Sequence, residues 1–207
     1  MSDDTPIDPS GFADPGRPRY CARCGAAMEE RDSGDRMRPV CPRCGWTYYA
    51  KNALGAAVLI ERRAPVGRAE SAGAPTSARQ TASGTGAVEV LLVQRAHDPY
   101  AGDWMLPAGF VEYGEDATAT AVREAMEECA LTVRLDGVFG LYFGTDDPRN
   151  PSYLIVYRAG LADPSQEPTA SDDACAVGWF PRDHLPPNIA FEAHRNALAD
   201  WAGQLLG

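Results

Sequence analysis

Glu124, Glu127 and Glu128 stand at i, i+3 and i+4. On a helix that spacing sets three carboxylates on one face, with neighbouring Cβ atoms close together. Like charges so placed repel, so the cluster needs a reason. One reason is a solvated acidic face, common on surface helices. The other is a hard divalent ion, Mg2+ or Mn2+, which takes carboxylate oxygens together with water and substrate phosphates. The preceding segment, Leu106-Pro-Ala-Gly-Phe-Val111, is apolar and reads as buried, which favours the metal. Arg123 lies beside the cluster, and Glu115 lies eight residues before Arg123.

A second group of metal-ligating residues lies near the N-terminus. Cys21-Ala-Arg-Cys24-Gly25 and Cys41-Pro-Arg-Cys44-Gly45 are two CxxCG knuckles separated by sixteen residues. The two-residue gap lets both sulfurs of a pair face one ion, and the glycine permits a turn with positive φ. Two such pairs match a tetrahedral Zn2+ site with four thiolates. With every position filled by protein, the zinc is expected to be a structural staple for a module too small to hold itself together. Cys129 and Cys175 are isolated and are expected to be small packing residues.

These groups must be carried by elements that hold them still. Residues 1–19 are rich in Pro and Asp and read as a disordered tail. Residues 20–50 form the cysteine module, and 51–207 read as one mixed α/β domain. Leu54–Arg62 and Ala87–Arg95 read as strands. The low-complexity stretch between them, 64–86, reads as a long flexible loop insertion. Glu115–Cys129 lacks Gly and Pro and reads as the helix that bears the glutamates. Val138–Phe143, Tyr153–Ala159 and Val177–Phe180 read as strands. Phe191–Leu206 has apolar residues at helical spacing, with His194 on the apolar face as a core histidine.

Composition narrows the class. Hydrophobic residues make up 44%, enough for a core, and the net charge is -10. That charge disfavours sequence-independent nucleic-acid binding at long range. Arg17, Arg19, Arg23, Arg36, Arg38 and Arg43 enrich the cysteine module in arginine, but Glu29, Glu30, Asp32 and Asp35 dilute them. No apolar run is long enough for a membrane span, and the N-terminus lacks a secretory signal, so a cytoplasmic protein with no membrane partner is expected.

Residues 109–131 resemble the Nudix box, G-x5-E-x7-R-E-U-x-E-E-x-G-U, where U is apolar. Gly109, Glu115, Arg123, Glu124, Glu127, Glu128 and Leu131 match, and Ala125 fills an apolar slot. Ala130 stands where the family has glycine at the helix end, so altered cap geometry is expected there. The resemblance implies an α-β-α sandwich with a mixed sheet. It implies a pyrophosphatase cutting the diphosphate linkage of a nucleoside diphosphate derivative. Glu124, Glu127 and Glu128, with the carbonyl of Gly109, would hold Mg2+ or Mn2+. Arg123 would orient a glutamate by ion pairing, and Glu115 would support the loop and metal shell. The general base is left open among Glu124, Glu128 and the 167–175 loop with Glu167, Asp172 and Asp173. Arg95 is a candidate phosphate contact or a surface ion-pair partner. Tyr142 and Phe143 are candidates to stack on adenine, or core aromatics.

A four-cysteine ribbon before such a domain resembles two groups. NADH pyrophosphatases carry SQPWPFP after the box, and that motif is absent here. Tyr49-Ala-Lys-Asn52 and Leu106-Pro-Ala-Gly109 fit the ADP-ribose and FAD pyrophosphatases better. An NADH/NAD pyrophosphatase, an RNA-decapping enzyme and a non-catalytic nucleotide-sensing regulator are the alternatives, and a homodimer is compatible with the resemblance.

Overall fold

The computed structural model describes residues 17–34, 36–64, 86–147, 150–171 and 173–204. Residues 1–16 of the expected 1–19 tail and nearly all of the expected 64–86 loop lie outside those residues; residues 17–19 instead belong to the first unit, where Arg17 donates to the Met37 carbonyl at 3.1 Å and the Arg19 carbonyl accepts the Met28 N–H at 2.9 Å. The chain divides into two compact units, Met1–Asn52 and Ala53–Gly207.

The first unit is built on a hairpin of β1 (Glu29–Asp32) and β2 (Met37–Val40), paired antiparallel. The two CxxCG turns flank it.

The second unit is a mixed sheet between two helices. In chain order it contains β3 (Ala53–Arg63), β4 (Val88–Arg95), β5 (Trp104–Met105), β6 (Ala108–Phe110), α1 (Ala117–Cys129), β7 (Val133–Gly144), β8 (Ser152–Leu161), β9 (Ala174–Pro181) and α2 (Glu192–Gly203). The path through the sheet is β5-β4-β3-β8-β7, with β6 added to β3 and β9 added to β4. β3 runs parallel to β8, and the other pairings are antiparallel.

The central strand explains the layering. Successive side chains of a strand point to opposite faces, so a strand covered on both faces reads as a continuous apolar run. Ala56, Val58 and Ile60 of β3 join Ala121, Ala125 and Cys129 of α1 in one core. Ala57 and Leu59, one residue out of phase, join Ala193, Ala197, Leu198 and Trp201 of α2 in the other. β4 repeats the alternation, with Leu91 and Val93 toward α1 and Val90 and Leu92 toward α2. No helix among the described residues is long and apolar enough to cross a membrane.

Element ends differ from expectation in informative places. β7 is longer than Val138–Phe143 because two register shifts, between Leu135 and Gly137 and between Val138 and Gly140, carry the pairing onward. Such bulges break the alternation by which a strand is recognised. The segment before α1 is only partly buried: Met105, Leu106 and Pro107 are, but Phe110 is 40% exposed. It forms β5 and β6, each too short to show periodicity.

Candidate active site

α1 begins at Asp116, whose carboxylate accepts the N–H of Thr118 at 2.8 Å and satisfies one of the open donors of the first turn. The helix ends at Ala130, which adopts the left-handed conformation with φ 55°. Its N–H donates to the Met126 carbonyl at 3.0 Å, and that of Leu131 to Ala125 at 3.2 Å. The expected change of cap geometry therefore does not occur. Alanine takes the glycine-type conformation and bears its steric cost, because two closing hydrogen bonds and the fully buried Leu131 hold the turn.

Arg123 sits at the centre of the acidic face. Its Nε and Nη2 donate to the two carboxylate oxygens of Glu115 at 2.9 and 3.1 Å. Its Nη1 donates to Glu124 at 2.7 Å and to Glu127 at 2.8 Å. Hydrogen bonds from Arg123 hold the Glu115 carboxyl down to about 2. Those three acids in turn hold the guanidinium charged and raise its pKa. Glu127 is exposed, whereas Glu124 is buried and its carboxyl is pushed up by burial, with Arg123 opposing.

Glu128 lies deeper. One oxygen accepts the backbone N–H of Ala108 at 3.0 Å, which ties α1 to β6. Burial pushes its carboxyl up to about 8; the Ala108 N–H and Arg95 work against that rise, while Glu124 and Asp173 add to it. A buried carboxylate with so little compensation calls for a cation. Gly109 is the contact between strand and helix. A Cβ there would stand 1.8 Å from Oε1 of Glu124, so only glycine lets that carboxylate reach the backbone of β6. The donor set of Glu124, Glu127, Glu128 and the Gly109 carbonyl thus fits a hard divalent ion in type. The carboxylate oxygens do not converge as the sulfurs of the first unit do. Among the described residues the cysteine cluster is the one group of three or more such ligands within 4.8 Å of one another.

Arg95 is anchored beside this site. Its Nε donates to the Pro99 carbonyl at 2.7 Å, and its guanidinium lies 5.0 Å from the centre of the Phe191 ring. Its charge is felt by both Glu128 and His194. His194 is buried in α2 with Nδ1 lacking a partner, and burial brings its pKa down to about 3, so it is a neutral core residue. Asp173 is exposed, 3.7 Å from His97. Glu167 is exposed, and Asp172 lies outside the described residues. The 167–175 loop nonetheless packs on the end of α1, since the N–H groups of Thr169 and Ser171 donate to the carbonyls of Cys129 and Glu128.

Tyr142 donates its hydroxyl to Asp200 at 3.0 Å and packs in the α2 core, while Phe143 meets Tyr153 at 4.9 Å and is partly exposed. Cys129 is buried, as a packing residue should be, but Cys175 is exposed. On β9 it follows the buried Ala174, and alternation turns it outward beside the Gln94 and Arg95 carbonyls. The Ala108 N–H that holds Glu128 had no signal in the sequence, since every residue but proline carries one.

The cysteine cluster is built locally. Gly25 and Gly45 close their turns with φ of 72° and 74°, donating to the carbonyls of Cys21 and Cys41 at 2.9 Å in both cases. Cys21 and Cys44 sulfurs are 3.6 Å apart, and those of Cys24 and Cys41 are 3.5 Å apart. Four sulfurs around one zinc at about 2.3 Å would stand roughly 3.8 Å from each other, so the cluster fits. Burial raises the Cys41 thiol, but the N–H groups of Cys44 and Arg43 and the adjacent sulfurs outweigh it and bring it down to about 6.

The profile described as NUDIX domain matches residues 75–201. The chain is 34% identical over 114 residues to the ADP-ribose pyrophosphatase of Methanocaldococcus jannaschii, spanning 55% of this chain and 65% of that one. It is 28% identical over 173 residues to the NAD-capped RNA hydrolase NudC of Pectobacterium atrosepticum, spanning 81% of this chain and 53% of that one. The chain therefore spans less than two thirds of the length of these curated relatives. A crystal structure of a NUDIX hydrolase from Nitrosomonas europaea superposes with a TM-score of 0.67 at 25% identity, covering 89% of this chain and 90% of the other. With the sandwich, the Glu115–Arg123–Glu124–Glu127 network and the profile match over most of 53–207, the chain belongs to the Nudix family.

Proposed function

We propose that the chain is a divalent-cation-dependent pyrophosphatase that cleaves the diphosphate linkage of a nucleoside diphosphate derivative, with ADP-ribose as the preferred substrate class and FAD next. The observation that carries this reading is the acidic face of α1 meeting Gly109 of β6, with Glu128 buried and undercompensated. The relative named ADP-ribose pyrophosphatase supports the choice of substrate.

Glu124, Glu127, Glu128 and the Gly109 carbonyl would hold Mg2+ or Mn2+. When bound, such ions supply charge to offset the diphosphate and lower the pKa of a coordinated water. The chain's own residues do the rest. Arg123 and Glu115 position Glu124 and Glu127 through their shared hydrogen bonds. The Ala108 N–H fixes one oxygen of Glu128, leaving the other to take a proton. Glu124 and Glu128 are the two candidates for that role, with Asp173 of the 167–175 loop as a further one. Arg95, whose charge is felt at Glu128, is the candidate phosphate contact. In the first unit, Cys21, Cys24, Cys41 and Cys44 would hold Zn2+ as a staple, with no position left for substrate.

Chromatography of reaction mixtures tests the reading. Protein with Mg2+ or Mn2+ should release AMP from ADP-ribose faster than from FAD or NADH, and absence of AMP from all three would end it. The match to the NudC relative covers 81% of this chain, more than the second unit alone, which favours NADH or an NAD-capped RNA as the second reading. Preference for either over ADP-ribose selects that alternative.

A further inference from the structure

The charge of the chain is divided unevenly. Residues 17–52 hold eight Lys and Arg against four Asp and Glu, a net of +4, while the whole chain carries -10. At physiological salt, charges more than about 8 Å apart are largely screened, so local charge decides what a surface attracts.

Within this basic segment lies an open groove lined by Trp46, Thr47, Tyr48, Tyr49 and Lys51. Trp46–Tyr49 runs extended beside β2. The Cys41 N–H donates to the Trp46 carbonyl at 2.8 Å, Thr47 bridges to Val40, and the Tyr48 N–H donates to Pro39 at 2.9 Å. The Trp46 and Tyr48 rings are 6.3 Å apart at 58° and half-buried. Tyr49 is 59% exposed, with the Arg38 guanidinium 5.1 Å from its ring centre. Packing explains Trp46 and Tyr48 in so small a module. It does not explain Tyr49, which leaves most of a ring in water beside a cation.

An open groove of aromatic rings with cations beside it is what a single strand of nucleic acid needs. Bases stack on the rings whatever their sequence, and the cations meet the flanking phosphates. We propose that this face of the first unit, Trp46, Tyr48 and Tyr49 with Arg38 and Lys51, binds single-stranded nucleic acid. The groove lies wholly within residues 17–52.

The test is fluorescence anisotropy of zinc-loaded full-length protein with labelled oligouridylate and oligodeoxythymidylate of about 12 nucleotides. Binding at about 50 mM salt should weaken steeply toward about 200 mM. Tyr49→Leu keeps bulk without a π face and should lose roughly ten-fold in affinity, while Tyr49→Phe keeps it. Arg38→Gln should reduce the slope of log affinity against log salt by about 0.7. Zinc content confirms that each variant retains the module, and ADP-ribose hydrolysis should be unchanged in all three. Loss of hydrolysis in the parent protein would bear on the proposed reaction and leave the binding result intact. Equal binding of RNA and DNA, or a preference for RNA, supports the surface; the latter adds a contact to the 2′-hydroxyl. No binding at low salt overturns it. So does binding that survives both Tyr49→Leu and Arg38→Gln, or equal competition by polyglutamate, which marks a general anion surface.

Discussion

The two ligand groups of this chain are assembled in opposite ways. The four cysteines come from two tight turns of the same design, and their sulfurs already lie within 4.8 Å of one another. The glutamates come from one helix face, and Arg123 holds two of them while Glu128 is held from β6. A cluster made by short turns is shaped by local backbone. One made by a helix depends on what the helix packs against. The first suits a permanent ion that is part of the fold, and the second suits an ion that arrives with substrate.

Removing the ion should break the comparison most sharply on the cysteine side. A structural zinc contributes roughly 10–16 kcal/mol of apparent binding energy that is also folding energy. Cys41→Ser or a strong chelator should therefore unfold residues 17–52, seen as new protease cleavage there, while AMP release by the second unit persists. Simultaneous loss of both would show the units to be coupled. On the glutamate side, Glu124→Gln should cost about 10²–10⁴-fold in rate without altering the melting temperature downward. An unchanged rate would remove Glu124 from the site.

Arg123→Ala comes next. It strips hydrogen bonds from Glu115, Glu124 and Glu127, and hydrogen bonds to charged groups are each worth about 1.5–3 kcal/mol before solvent screening at this partly exposed site. A loss of roughly 1–2 kcal/mol in denaturant unfolding is expected, reduced when Mg2+ is present.

A pH effect follows from Glu128. Its folded carboxyl is raised to about 8, above the ordinary carboxylate value, so near pH 7 the metal-free fold keeps a proton that an ion must displace. Mg2+ affinity should rise with pH and level off above about 8, with proton release measurable by calorimetry in buffers of different ionisation heat. The same raised value means that the metal-free protein loses stability as pH rises from the unfolded carboxylate value through 8. Glu128→Gln should flatten both profiles. The smallest effect is Ala130→Gly, which relieves a left-handed alanine and should stabilise the fold by about 0.5–1 kcal/mol in thermal melts.

Much of this arrangement is legible in residue order because it rests on short-range rules. The CxxCG spacing carries its own turn, the apolar run of β3 marks a strand covered on both faces, and the i, i+3, i+4 glutamates share a face by helical geometry alone. By itself the sequence determined most of the longer elements, the cysteine cluster and the family resemblance, and it singled out the glutamates as candidate ligands. The tertiary structure decided what depends on neighbours distant in the chain. It set the Ala108 N–H on Glu128, seated Gly109 against Glu124, turned Cys175 outward and held Ala130 in a glycine conformation. It also left Tyr49 in water under Arg38. Spacing fixes direction along an element, but burial and charge at a residue come from what packs on it, and that is settled only when the chain folds.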